Sequence, residues 1–184
     1  VIAEFGLFGR GDAVNILKKN LCNVVTSCSE DHLDWLPKNE RTIERIIFEK
    51  TSSLLNSNII VAKQTSDKIT QCIKKNISNN NANKYFFNED YNFVLKENEF
   101  FYYEDKYGGL KIPKPSMNGL FQLENASTAI ATLRILESLK IKNQHIIDGI
   151  AKANNSARLE EIKSGKLKKL VNNNTLIVDS SHNP

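Results

Sequence analysis

The stretch NVVTSCSEDHLDWLPKNERTIERIIFEKTSSLLNSNIIVAK, residues 23–63, decides the fold. It opens on one β-branched run, NVVTS (23–27), and closes on another, NIIVAK (58–63). Between them NERTIERIIFEKTSSLL (39–55) sets Ile43, Ile46, Ile47 and Leu54 at helical spacing. Strand, helix, strand in that order predicts a β-α-β unit. The near-continuous apolar runs predict strands buried on both faces, as in a parallel sheet covered by helices.

Two more segments read the same way, VIAEF (1–5) and TLIVDS (175–180). The stretch from Tyr85 to Pro113 is different: it alternates aromatic and polar residues around turn signals at KEN and YGG, and predicts antiparallel hairpins attached to the parallel sheet. Leu120, Leu123, Ala126, Ile130, Leu133, Leu136 and Leu139 predict a long amphipathic helix whose stripe is core, and NQHIIDGIAKA (143–153) a shorter one. The asparagine clusters NISNNNANK (76–84) and NNN (172–174) predict loops. The fold class expected is α/β. Residues 1–153 form one domain with a mostly parallel sheet, NNSAR (154–158) is a linker, and 159–184 opens a second, Rossmann-like α/β domain.

Composition narrows the function classes. With 184 residues, 40% of them hydrophobic and 25% charged, the chain can bury a real core and is not expected to be disordered. The net charge of +4 comes from scattered lysines with no nucleic-acid motif beside them, so nucleic acid is not an expected partner. No apolar run approaches the roughly 18 residues that span a bilayer, and no signal-peptide pattern is present, so no membrane partner and a cytoplasmic location are expected. Cys22, Cys28 and Cys72 are odd in number and form no C-x-x-C pair, which predicts reduced thiols rather than disulfides. A zinc site from Cys22, Cys28 and His32 would lack a fourth ligand and a familiar spacing.

Glu4, Asp31 with His32, and Asp179 with His182 fall at or just past the carboxyl ends of predicted strands. Ligands of open α/β sheets bind in the crevice outside those ends. Carboxylates and imidazoles gathered there, without paired thiols, suit a hard or borderline dication, and Mg²⁺ with a phosphate ligand is the natural expectation.

Those residues also carry a resemblance. EFGLFGRGDAVN (4–15) resembles the EVGLGGRLDATN motif of the folylpolyglutamate synthase and dihydrofolate synthase family, within the Mur ligase superfamily. In the same order, VVTSCSEDHLDWL (24–36) resembles ITSIGLDHxxxLG, and TIERIIFEK (42–50) resembles TLEEIAREK. NGLFQLENASTAI (118–130) resembles GxHQLENAATAL, ARL (157–159) the GRL element, and VDSSHNP (178–184) LDGAHNP.

The resemblance implies an ATP-dependent ligase that joins L-glutamate to a folate or dihydropteroate carboxylate through an acyl phosphate, with ATP and Mg²⁺ as cofactors and a monomer as the usual state. It implies that Glu4 and His32 are Mg²⁺ ligands and that Lys50 is the lysine that becomes carbamylated. It further implies that Asn125, Arg158 and Asp179 contact ATP, and that His182 lies near the phosphate or the incoming glutamate. Each has a plainer reading: Glu4 as a capping or salt-bridging carboxylate, His32 as a turn residue, Lys50 and Asn125 on exposed helix faces, and Arg158 as a linker charge.

The departures are specific. Phe8 stands where the family has glycine, WLPKNERTIE replaces the tighter LGxT turn, Ser180 and Ser181 precede His182 where the family has Gly and Ala, and EKTSSL replaces EKAGI after Lys50. SGKL (164–167) is not a phosphate loop, because Glu160 occupies the first glycine position and Leu167 the hydroxyl position. A chain that begins inside VIAEFG and stops at Pro184 reads as an internal piece of such a ligase, lacking its phosphate loop and most of its second domain. Two other readings stand beside that one: an inactive remnant of a split gene, and a Mur-type ligase with another acceptor. On the first reading, activity would need the missing ends or a partner chain that supplies the loop.

Overall fold

The structure, a computed structural model, describes residues 1–96 and 99–180. The described residues divide into two compact units, one up to Tyr91 and the other from Asn92 to Ser180.

The first unit is built on the predicted β-α-β. Strand β1 (Cys22–Val25) pairs in parallel with β2 (Asn58–Val61), Cys22 opposite Asn58 and Val25 opposite Val61. Helix α1 (Ile43–Thr51) is the crossover. It starts at Thr42, whose hydroxyl accepts the Arg45 N–H at 3.2 Å and satisfies a donor that the first turn leaves unpaired. A second crossover, α2 (Asp67–Asn76), begins in the same way at Ser66 and leads to β3 (Lys84–Phe86), parallel to β2 with Ile59 opposite Lys84.

Alternation along each strand then sorts the side chains. Val25, Ile59, Val61 and Phe86 share one core with Ile47 of α1 and with Ile69, Ile73 and Ile77 of α2 and its C-cap. Burial on both faces holds at β2, where Ile59, Ile60 and Val61 are all essentially inaccessible, but not at β1, where Val24 is 44% exposed.

Three expectations are corrected. Residues 1–5 form no strand and lie exposed, because the described sheet pairs β1 with β2 alone and offers this segment no ladder to join. The region from Tyr85 does not begin as a hairpin, since Lys84–Phe86 completes the parallel sheet. Helix α2 was not expected at all. Its core-facing signal is only Ile69, Ile73 and Ile77, one residue per turn in an otherwise polar stretch that runs into the asparagine cluster.

The second unit carries the hairpin. β4 (Tyr91–Val94), which straddles the boundary, neighbours β5 (Phe100–Asp105), and β5 pairs antiparallel with β6 (Leu110–Pro113), Phe101 opposite Ile112. Phe101, Tyr103 and Ile112 point to one face and are fully buried. Helix α3 (Phe121–Ile135) buries Leu123, Ala126, Ile130 and Ala131 together with two hydroxyl residues. Ser127 and Thr128 can sit there because each donates back to the carbonyl four residues earlier, at 2.8 and 2.9 Å. The predicted stripe is too long at both ends, since Leu120 and Leu139 are exposed and α3 stops at Ile135. Helix α4 (Asn143–Lys152) follows as predicted. Then β7 (Glu160–Glu161), α5 (Lys166–Leu170) and β8 (Ile177–Val178) form a small ribbon, with Glu160 opposite Val178. Within TLIVDS only two residues are paired, and Ile177 and Val178 remain exposed.

Candidate functional site

In the first unit the motif EFGLFGRGDAVN folds into a self-bonded loop. Asp12 holds it: one carboxylate oxygen accepts the Gly6 N–H and the other the Val14 N–H, both at 2.8 Å, and Asn15 Nδ2 donates to the Gly9 carbonyl at 2.7 Å. The N–H groups of Val14 and Gly6 hold the Asp12 carboxyl below its ordinary range.

This loop docks on the C-terminal end of α1. The Arg10 N–H donates to the Glu49 carbonyl at 3.0 Å, and the Arg10 guanidinium forks onto the Glu49 carboxylate with two bonds of 2.7 Å. Arg45, one turn earlier on α1, approaches the same carboxylate at 2.6 Å. Glu49 is buried, and these contacts, Arg10's hydrogen bond foremost, hold its carboxyl below the ordinary range.

Lys50 follows Glu49 and is half-buried. Its positive charge works against the burial that raises the Cys28 thiol. Among the described residues the Lys50 amine has no hydrogen bond or ion pair. Cys28 is buried, and burial pushes its thiol up. Its N–H donates to Gln64 Oε1 at 2.9 Å, while Gln64 Nε2 donates to the Ala62 and Thr26 carbonyls, so one side chain ties the carboxyl ends of β1 and β2 together.

His32 lies on the loop that leaves β1, in a left-handed conformation (φ 58°) at the start of a short 3₁₀ turn, Leu33–Trp35. Its Nε2 is 3.1 Å from Asp31 Oδ2, and its ring meets Phe8 edge-on with centroids 6.4 Å apart. The Phe8 contact brings the first motif against the second. Glu4 lies on the exposed segment before that loop, and its side chain has no partner among the described residues. No three carboxylate, imidazole or thiol side chains converge among the described residues in a way that would by themselves hold a metal ion. A cleft of about 400 Å³ opens beyond the carboxyl ends of β2 and β3, lined by Ala62, Gln64, Ser66, Thr70, Phe86 and Asn88 among others.

The second unit gathers the other motifs. The ARL element is a sharp turn with Ala157 at φ 57° and Leu159 at φ 48°. Ser180 N–H donates to the Ala157 carbonyl at 2.8 Å, and Leu159 N–H reaches Asp179 Oδ1 at 3.4 Å. Arg158 and Asp179 are thereby on one turn, both exposed. Asn118, just before α3, donates to the Leu159 carbonyl at 2.9 Å and ties this turn to the helix that carries Asn125. Asn125 is exposed and donates to Gln122 Oε1 at 3.2 Å. His182 lies outside the described residues.

The sequence reading assigned no role to Arg10, Asp12, Asn15, Glu49, Gln64 or Asn118. All but Gln64 stand inside a quoted motif, which was the available signal; the partners of Arg10, Gln64 and Asn118 are 36 to 41 residues away along the chain.

No family model matches the chain. A curated protein of Escherichia coli, dihydrofolate synthase/folylpolyglutamate synthase, is 29% identical over 185 aligned positions, covering 100% of this chain and 39% of its own length. The structure of E. coli FolC with DHPP and ADP superposes with a TM-score of 0.78 at 28% identity, over 97% of this chain and 39% of that one. An FPGS–AMPPCP–folate complex superposes at 0.81 with 21% identity, over 99% of this chain and 43% of that one, and supports the α/β fold. The chain thus spans about two fifths of the length of the proteins it matches. Along its whole sequence and in its fold it resembles the folylpolyglutamate synthase and dihydrofolate synthase family, as the motifs predicted.

Proposed function

We propose that the chain forms the central part of an ATP-dependent ligase that adds L-glutamate to the carboxylate of a folate or a dihydropteroate. The observation that carries this reading is the joint likeness, in sequence and in fold, to a dihydrofolate synthase/folylpolyglutamate synthase and to a structure of such a protein with DHPP and ADP.

The reaction has two steps. An acceptor carboxylate oxygen attacks the γ-phosphorus of ATP and ADP leaves; the glutamate amine then attacks the acyl carbon, phosphate leaves and the amine gives up a proton. In this reading Glu4 and His32 would hold Mg²⁺, and Lys50, once carbamylated, would supply a further anionic group. The donor set of carboxylate and imidazole fits a hard or borderline dication, and phosphate oxygens and water would complete its shell. When bound, the ion neutralises charge on the transferring phosphate. Asn125, Arg158 and Asp179 bind the nucleotide, Arg158 offering a cationic fork that has no partner among the described residues. His182 would act near the phosphate or the incoming glutamate.

The same proposal takes residues 1–153 as the ATP-binding domain, 154–158 as the linker and 159–184 as the start of the glutamate-ligase domain, in a monomeric cytoplasmic protein. No described helix is long and apolar enough to cross a membrane.

A chimera tests it: this chain replaces the matching segment of the E. coli relative, and ATP-dependent transfer of labelled glutamate to dihydropteroate or a reduced folate is measured. Transfer that Lys50→Ala abolishes is the expected result. A chimera that folds and binds ATP yet transfers glutamate to neither acceptor overturns the reading.

A further inference from the structure

We infer that Glu49 is a positioning residue, a buried anionic latch that fastens the 6–15 loop to the last turn of α1 and so fixes the backbone from which Lys50 projects. The inference rests on the reading of Lys50 given above.

Three observations carry it. Glu49 is buried yet charged, its side chain 5% exposed, and it is closed by two guanidinium groups from different places: Arg10 on the loop and Arg45 on its own helix. A buried carboxylate needs such partners, and a bidentate fork fixes orientation as well as charge. The loop's backbone follows the same path, since the Arg10 N–H meets the Glu49 carbonyl and Gly9 lies so close that an added Cβ would stand 2.9 Å from the Lys50 carbonyl. Finally, the residue directly after the latch is Lys50, half-buried on the same last turn of α1. In forming a carbamate the amine lone pair of a lysine bonds to the carbon of CO₂ and the nitrogen loses a proton to water, so the position of the nitrogen is part of its reactivity.

Arg10 is the residue to vary, because its side chain is 58% exposed and Arg45 remains as a partner when it is removed. The 184-residue chain and its Arg10→Gln, Arg10→Lys and Lys50→Ala variants are equilibrated with ¹³C-bicarbonate, and the lysine carbamate is read by ¹³C NMR. Amide exchange is followed in parallel. Wild type shows a carbamate resonance that Lys50→Ala removes. Arg10→Gln lowers its occupancy at least threefold and speeds exchange of the 6–15 amides at least tenfold, while β2 amides are unchanged; Arg10→Lys restores part of both. Carbamate occupancy unchanged in Arg10→Gln overturns the inference alone, whatever the loop does. Absence of any carbamate in wild type overturns the reading of Lys50 and the inference with it.

Discussion

Gly9 and Lys50 meet backbone to backbone: a Cβ at position 9 would stand 2.9 Å from the Lys50 carbonyl oxygen, 3.2 Å from that of Glu49 and 2.6 Å from the Ser53 hydroxyl. Gly9→Ala must therefore push the loop off α1, and a destabilisation of roughly 1–3 kcal/mol is expected from overpacking of this kind. Chemical denaturation measures it. Ser53→Ala should relieve only part of the clash, because two of the three close atoms are backbone. On its own Ser53→Ala should be neutral or stabilising, since the Ser53 hydroxyl is buried with no hydrogen-bond partner among the described residues. A Gly9→Ala protein as stable as wild type would show that the loop is not seated on α1 in this way.

Glu49 gives the fold a pH dependence with a definite sign. Arg10 above all, then Arg45, hold its carboxyl below the ordinary 4.5 in the folded state. A depressed carboxyl adds stability that is present above the unfolded value and is lost as pH falls through the folded one. Urea unfolding from pH 7 down to 3 should show this loss in wild type. Glu49→Gln should begin less stable at pH 7 and show a shallower fall, so that the two curves converge at the acid end. Parallel curves would mean that Glu49 does not titrate with folding.

How far the sequence revealed this arrangement depends on whether the deciding contacts are local. The β-α-β core was legible because β-branched runs at 23–27 and 58–63 and the spacing of Ile43, Ile46 and Ile47 are local patterns. Helix α2 was not, because it shows one core residue per turn among polar residues such as the exposed Lys68 and Lys75. VIAEF looked like a strand by propensity, yet a strand exists only where a partner does, and among the described residues it has none. The site residues were found through motif likeness. The Arg10–Glu49 latch that seats one of those motifs joins positions 39 apart, each an ordinary charged residue in its own neighbourhood.

Ala157 marks a departure from the family with a physical consequence. It stands where GRL begins, and its φ of 57° is the left-handed region in which a Cβ crowds the backbone. Ala157→Gly should stabilise the chain by about 1 kcal/mol. It should also leave the Ser180-to-Ala157 hydrogen bond in place, since that bond uses only the carbonyl. Thermal melts of the two proteins check the first point, and amide exchange at Ser180 the second. A melt lowered by the glycine would mean that the turn does not hold this conformation.

The three thiols should be slow to react in the folded chain. Burial pushes Cys22 up to about 11 and raises Cys28 and Cys72 as well, with Glu44 adding to the effect at Cys72. Because the thiolate is the reactive form, a rise of about two from the ordinary 9.0 lowers the reactive fraction of Cys22 at pH 8 about a hundredfold. Iodoacetamide labelling followed by peptide mass spectrometry should find Cys28 slowest to be reached, since its side chain is fully buried in the core between β1 and α1. Cys72, at the margin of the same core, should label earlier. All three should react at similar rates in urea. Cys28 labelled in the native chain as fast as in urea would contradict the packing of that core.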